Sequence, residues 1–153
     1  PSFGATMSDG LLPRLEADLT RSRKDRDRIR TSVLSMTLSE IRNRRIELGR
    51  DLSDEEVGDV LGKARKRRQE AADQMRAGER EELAAKEETE AGILAEYLPE
   101  AMDEMEVRTL IRGIMAEGVT EMGPLMGRLM PRIRGRFDGK EANRIAREEL
   151  APA

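Results

Sequence analysis

Apolar residues recur at spacings of three and four along nearly the whole chain, and no stretch alternates with a period of two. Such spacing places apolar side chains in one stripe on an α-helix, whereas a half-buried β-strand would alternate. Aromatic residues make up only 2% of the 153 residues and charged residues 39%. The abundant residues, Leu, Met, Ala, Arg and Glu, are strong helix formers. The sequence therefore predicts an all-α fold.

Seven helical segments are predicted from these stripes and from the residues that start and stop helices. Ser53 can cap a helix while Glu56 reaches back to it, which is the spacing of a capping box. Pro99 lacks the N–H that a helix interior needs and is expected to stop the fourth helix, and Pro131 is expected to kink or end the sixth. The predicted segments are residues 11–23, 27–48, 53–77, 79–98, 103–118, 122–133 and 138–150.

A short linker at residues 99–102 predicts a boundary between two helical parts. Residues 11–98 are expected to form an N-terminal helical domain, arranged as a hairpin or small bundle. Residues 103–150 are expected to form a compact tail domain, since three amphipathic helices rich in Leu, Ile and Met can close a small core. Residues 1–10 are small and polar and are expected to be a disordered lead-in.

Missing residue types exclude several kinds of function. The chain has no Cys and no His, so it lacks thiolate metal sites, disulfides and Ser-His or Cys-His catalysis. We therefore expect no metal, no cofactor and no catalytic residue. Whether the chain is an enzyme stays open, and the missing residue types argue against it. No uncharged run approaches the ~20 residues that cross a bilayer. With no leader pattern at the start either, we expect a cytoplasmic protein without a membrane partner.

The charge is distributed unevenly along the chain. Residues 79–106 carry a net charge of −9, whereas residues 1–78 and residues 107–153 each carry +3. The overall net charge of −3 therefore hides two basic ends and does not argue against an anionic partner. The acidic stretch itself has no His beside its carboxylates, so it predicts a solvated, ion-paired helix face in preference to a metal site.

Three stretches together resemble a known family. They are residues 52–56 (LSDEE), residues 97–99 (YLP) and above all residues 122–139, which read MGPLMGRLMPRIRGRFDG. This pattern is similar to the GatB/YqeY family, whose small stand-alone members resemble the C-terminal tail of the GatB component of aspartyl/glutamyl-tRNA amidotransferase. The resemblance spans residues 11–150. One departure is Phe137, which stands in the glycine loop where members usually carry a small residue.

The resemblance implies an N-terminal helical domain, a three-helix tail and a role in tRNA binding. In the large amidotransferase the tail contacts tRNA, while amide transfer and glutamine hydrolysis belong to other parts. A carbon–nitrogen ligase activity with glutamine as amide donor is thus implied only by family association. The implied partners are tRNA or another structured RNA, and a larger tRNA-modifying enzyme. The alternative is a protein–protein adaptor that docks a helical face onto such an enzyme.

The candidate RNA contacts are cations around the glycine-rich connection between the last two helices. Arg136 and Lys140 precede or begin a helix, where a cation opposes the macrodipole by ~0.3–1 kcal/mol, so the dipole does not explain them. Asp138 and Glu141 can instead neutralise them, which would leave a solvated surface. With so few aromatic residues, phosphate contacts and shape are expected in place of base stacking. The candidates are Arg128, Arg132, Arg134, Arg136, Lys140 and Arg144.

A secondary basic patch lies on the third predicted helix. Five cations in six positions circle most of a helix, so they cannot all face one partner. Two interpretations of these cations stay open. They are either a solvated helix face that pairs with nearby acids, or a stripe that contacts phosphates. The run from Arg21 to Arg30 alternates with Asp25 and Asp27 and is expected to be a helix–turn with internal pairing. The patch consists of Lys63, Arg65, Lys66, Arg67 and Arg68.

Overall fold

The computed structural model describes residues 10–152, and within them it contains seven α-helices and no strand. The predicted all-α class is confirmed. The lead-in expected at residues 1–10 lies outside the described residues except for Gly10. In chain order the helices are α1 (Leu11–Lys24), α2 (Arg28–Leu48), α3 (Asp54–Ala77), α4 (Glu81–Ala95), α5 (Glu104–Ala116), α6 (Met122–Ile133) and α7 (Gly139–Leu150).

The chain forms two compact units that divide between Leu98 and Pro99. In the first unit α1 packs on α2 and α3 packs on α4, each pair joined by a short turn. Arg76 near the end of α3 contacts Glu81 at the start of α4, and Arg68, earlier in α3, contacts Glu90, later in α4, so these two helices run antiparallel. The core of this unit consists of Leu15, Leu19, Val33, Leu34, Ile41, Val57, Leu61, Ala64, Ile93, Leu94 and Tyr97.

In the second unit each of α5, α6 and α7 packs against the other two. The side chains predicted from the 3–4 spacing fill its core, and half-buried methionines and Phe137 pack around them. The core consists of Val107, Ile111, Ile114, Leu125, Leu129, Ile133, Ala142, Ile145 and Ala146. Within residues 10–152, no helix combines the length and the apolar character needed to cross a membrane.

The helix starts follow the local cap signals. Ser53 Oγ accepts a hydrogen bond from Glu56 N at 3.2 Å, and Glu56 Oε1 accepts one from Ser53 N at 3.0 Å. The Glu56 carboxylate also accepts two bonds from Arg50, and this pairing lowers the pKa of Glu56 to about 2. Asp103 and Glu106 form a second capping box, at the start of α5. The caps satisfy N–H groups that a helix start leaves unpaired.

The fourth helix is shorter than predicted. It ends at Ala95 and does not continue to Leu98, because Glu96, Tyr97 and Leu98 donate to carbonyls three residues back. In this tighter last turn the Tyr97 ring is buried, and its hydroxyl donates a hydrogen bond to Asp18 Oδ2 at 2.5 Å. Burial raises the pKa of the Tyr97 hydroxyl. The prediction for residues 79–98 was thus wrong at its end, because a contact with α1 fixes that end.

Two helix ends place a side-chain-bearing residue where glycine is usual. Arg26 and Glu79 have positive φ angles of 59° and 60°. At the second position, Glu79 N donates to Arg76 O at 3.1 Å and Arg80 N donates to Met75 O at 2.7 Å, which is the hydrogen-bond pattern of a Schellman motif. A non-glycine residue in this conformation brings its Cβ close to a carbonyl oxygen.

Replacing Glu79 by glycine is expected to stabilise the first unit by about 0.5 kcal/mol, because the relieved strain exceeds the added freedom of the unfolded chain. Urea unfolding of Glu79→Gly and of the wild type measures the difference. Glu79→Ala is the matched control, since it removes the same carboxylate and keeps the strained backbone. Equal stability of the glycine and alanine variants would contradict the expectation.

Candidate nucleic-acid interface

The connection between α6 and α7 is a tight turn. Helix α6 continues through Pro131 and ends at Ile133, and Gly135 follows with a φ of 75°. Asp138 then caps α7 by accepting a hydrogen bond from Glu141 N at 3.1 Å. A Cβ added at Gly139 would lie 3.3 Å from Met130 Cε, so the end of α6 and the start of α7 are in close contact.

Arg136 fixes this turn to the segment that precedes α5. Met102 N donates to the Arg136 carbonyl at 2.8 Å, and Arg136 Nε donates to the Glu100 carbonyl at 2.9 Å. Phe137 is half-buried and packs on the core of the second unit. The side chain of Phe137, where the sequence departs from the family pattern, therefore packs into the second unit and anchors the glycine loop.

Arg132, Arg136 and Lys140 are gathered at this turn. Arg132 lies in the last turn of α6 and Lys140 in the first turn of α7, and both are exposed. Among the described residues, neither Arg132 nor Lys140 forms an ion pair. Arg132 and Arg136 line one depression of about 380 Å³. Arg134, the C-cap of α6, is also exposed. The turn therefore concentrates positive charge at one end of the three-helix unit.

Arg128 and Arg144, the other two candidates, are held by carboxylates. Arg128 pairs with Glu117 at 2.5 Å. Arg144 pairs with Glu141 at 2.9 Å, with Glu104 at 3.4 Å and with Glu148. The hydrogen bond to Glu141 raises the pKa of Arg144. These two arginines connect elements of the second unit, and the structure does not bring them into the group at the turn.

A second ion-pair group ties α5 to α7. Arg108 Nη1 lies 2.8 Å from Glu149 Oε2, and Arg112 Nε lies 2.6 Å from Glu149 Oε1. Hydrogen bonds from Arg112 and Arg108 hold the pKa of Glu149 below its ordinary value. The Glu149 side chain is only 12% exposed, so both arginines serve the packing of α7 on α5.

The secondary basic patch is mostly engaged inside the first unit. Arg68 is buried: its Nε lies 3.1 Å from Glu90 Oε2, and it donates to the Ala64 carbonyl at 3.3 Å. Arg67 pairs with Glu40 at 2.6 Å and Lys66 with Glu70 at 3.9 Å. Arg65 is half-buried, which lowers its pKa. Lys63 alone of the five is exposed and without an ion pair among the described residues.

Three carboxylates of the acidic stretch pair with arginines of α3, and not with residues four positions away on their own helix as predicted. Arg76 lies 3.0 Å from Glu81 and also contacts Glu88, and Glu90 accepts from Arg68. No group of three or more acidic, Cys or His residues within residues 10–152 is arranged to hold a metal ion.

The basic group that the sequence-based interpretation missed lies between α1 and α2. The expected internal pairing is wrong for most of the run: Arg30 pairs with Asp27 at 3.6 Å and with Glu96 at 2.8 Å. Five further cations are exposed and form no ion pair among the described residues. Their density in the sequence was the only available signal. We call this group the α1–α2 corner: Arg21, Arg23, Lys24, Arg26 and Arg28.

The fold and these surfaces define a class of small all-helical protein with exposed basic turns. The family model described as Yqey-like protein matches residues 12–150, and the chain belongs to this family. The chain is also similar to "Altered inheritance of mitochondria protein 41, mitochondrial" from Pyrenophora tritici-repentis (strain Pt-1C-BFP). The two are 26% identical over 140 residues, which cover 88% of this chain and 77% of the relative.

Proposed function

We propose that this protein is a cytoplasmic tRNA-binding accessory module that contacts the RNA backbone through the turn between α6 and α7 and performs no catalysis of its own. The observation that carries the proposal is the group formed by Arg132, Arg136 and Lys140 at the α6–α7 turn. Arg132 and Lys140 are exposed and form no ion pair among the described residues, and Arg136 donates to the Glu100 carbonyl. Exposed guanidinium and ammonium groups of this kind bind phosphates.

The family supports the choice of RNA. The chain belongs to the Yqey-like family, and its motifs resemble the amidotransferase tail that contacts tRNA. A chain with one Tyr, two Phe and no Trp has no platform on which unpaired bases could stack. Recognition of a folded, duplex-rich RNA by its backbone and shape needs no such platform.

Competition between RNAs tests this proposal. A folded tRNA transcript is expected to displace a labelled tRNA at a lower concentration than an unstructured single strand of the same length does, because the contacts follow duplex shape. Equal competition by both RNAs would contradict shape recognition. A glutamine hydrolysis assay on the same preparation is expected to give no turnover, and turnover would overturn the non-catalytic role.

The adaptor function is the second candidate, and the depression beside Arg132 favours it. Its floor includes Met102 and Leu110, and Met105 at its edge is 71% exposed. Methionines are adaptable contacts for an apolar side chain of a partner. Met105→Glu is expected to abolish binding of a protein partner at this site, because it places a charge where an apolar side chain of the partner would be buried. Unchanged binding of the protein partner would exclude this depression as the docking site.

A further inference from the structure

The α1–α2 corner is more basic than the acids around it can balance. Residues 21–28 contain five cations and two carboxylates. Asp27 is already engaged, since it caps α2 by accepting from Arg30 N at 3.0 Å and pairs with the Arg30 side chain. Asp25 is the other carboxylate in this segment. The corner therefore presents an excess of positive charge to solvent.

Helix stability explains only part of this group. Arg21, Arg23 and Lys24 lie in the last turn of α1, where cations favour the macrodipole. Arg28 is the first residue of α2, where a cation opposes the dipole. Arg26 occupies a left-handed position with a φ of 59°. Local structure thus disfavours two of the five cations at the positions they occupy.

The strained backbone at Arg26 does not by itself indicate a site. Glu79 has the same conformation at the turn between α3 and α4, where residues 76–82 carry two cations and three carboxylates and so no comparable excess of one charge. What distinguishes the corner is that five exposed cations lie within eight residues, where α1 ends and α2 begins.

The chemistry of the corner fits a phosphate backbone better than a protein or a membrane. Apart from Ile29, which is 45% exposed, no large apolar side chain is exposed in residues 21–30. Protein interfaces bury an apolar core and membrane-bound helices insert apolar side chains, whereas phosphates need charge and donors only. Four of the five cations are arginines, whose planar fork can bind a phosphate through two hydrogen bonds.

We propose that the α1–α2 corner is a second contact surface for the phosphate backbone of a folded RNA, carried by the N-terminal unit. This inference rests on the proposed function, since it adds a surface for the same RNA. The macrodipole favours three of the five cations, but neither helix stability nor ion pairing inside the unit accounts for Arg26 and Arg28, whereas phosphate contacts do.

The test is the salt dependence of binding to a folded tRNA transcript. The corner variant is Lys24→Gln/Arg26→Gly/Arg28→Gln. Its matched control is Arg42→Gln/Arg44→Gln/Arg45→Gln, which removes three exposed cations from α2 and leaves the same net charge. Each lost phosphate contact lowers the slope of log K against log salt by nearly one. We expect the corner variant to lose about two to three in slope and at least about tenfold in affinity near 0.1 M salt. The control is expected to stay near the wild type.

The single variant Arg26→Gly separates binding from folding. Glycine suits the left-handed position, so this variant is expected to unfold at a higher urea concentration than the wild type while it binds tRNA more weakly. A loss of affinity in a more stable protein cannot arise from unfolding. If Arg26→Gly and the corner variant both bind tRNA as tightly as the wild type does, the inference is overturned.

The remaining outcomes distinguish the two proposals. If the wild type binds tRNA and cations removed at the α6–α7 turn weaken binding while the corner variant does not, only the inference on the corner fails. If the wild type binds no tRNA, the proposed function fails and the corner inference with it. Corner-dependent binding to vesicles that contain phosphatidylserine, without binding to tRNA, would assign the corner to a membrane surface and overturn the inference.

Discussion

Removing two exposed cations at the α6–α7 turn, Arg132 and Lys140, is expected to weaken tRNA binding by about 10- to 100-fold near 0.1 M salt. The variant is Arg132→Gln/Lys140→Gln. Because neither side chain forms an ion pair among the described residues, the substitutions are expected to leave the fold of the second unit intact. Fluorescence anisotropy with a labelled tRNA transcript measures the affinity, and the slope of log K against log salt is expected to fall by about two.

The control for this prediction is Arg112→Gln/Arg147→Gln. It removes two exposed cations from α5 and α7 and leaves the second unit with the same net charge as the test variant. Arg112 pairs with Glu149, but its own side chain is 62% exposed and Arg108 keeps Glu149 paired in this variant, so the loss of stability is expected to be no more than about 1 kcal/mol. If both variants weaken binding equally, the effect is one of overall charge, and the turn has no special role.

The second large effect is expected on stability, at Arg68. Replacing Arg68 by methionine keeps most of the side-chain volume and leaves the Glu90 carboxylate without its partner in a site where its side chain is only 16% exposed. Breaking a buried ion pair from one side costs several kcal/mol, and the partial exposure of Glu90 reduces the expected loss to about 2–4 kcal/mol. Urea unfolding of the full chain measures it.

The neighbouring Arg67 gives the matched control. Its side chain is 56% exposed, and its pairing with Glu40 is expected to be worth no more than about 1 kcal/mol. The double variant Arg68→Met/Glu90→Leu is expected to recover most of the stability, because no buried charge remains. If Arg68→Met costs no more stability than Arg67→Met, the ion pair with Glu90 does not hold α3 and α4 together.

The helices could be predicted from the sequence because their determinants are local. The caps at Ser53 and Asp103 involve residues three apart, and the apolar stripes involve residues three and four apart. Where a contact between residues far apart in the sequence determines the end of a helix, the predicted helix end was wrong. The end of α4 depends on Tyr97 and Asp18, which lie 79 positions apart.

The interface was less predictable than the fold because pairing between helices decides which cations are available. Sequence spacing gave no means to foresee that Arg68 meets Glu90, which lies 22 positions away, or that Arg144 meets Glu104, 40 positions away. At the α1–α2 corner the alternation of charges suggested pairing between neighbours. The turn through Arg26 instead leaves the neighbouring cations exposed and without ion pairs among the described residues.

The most direct measurement is a salt titration of wild-type binding to a folded tRNA transcript. Phosphate contacts release counterions, so log K is expected to fall linearly with log salt between about 50 and 200 mM, with a slope of about −3 or steeper. A slope near zero, or no binding at about 50 mM salt, would contradict the claim that this helical protein binds RNA through its exposed cations.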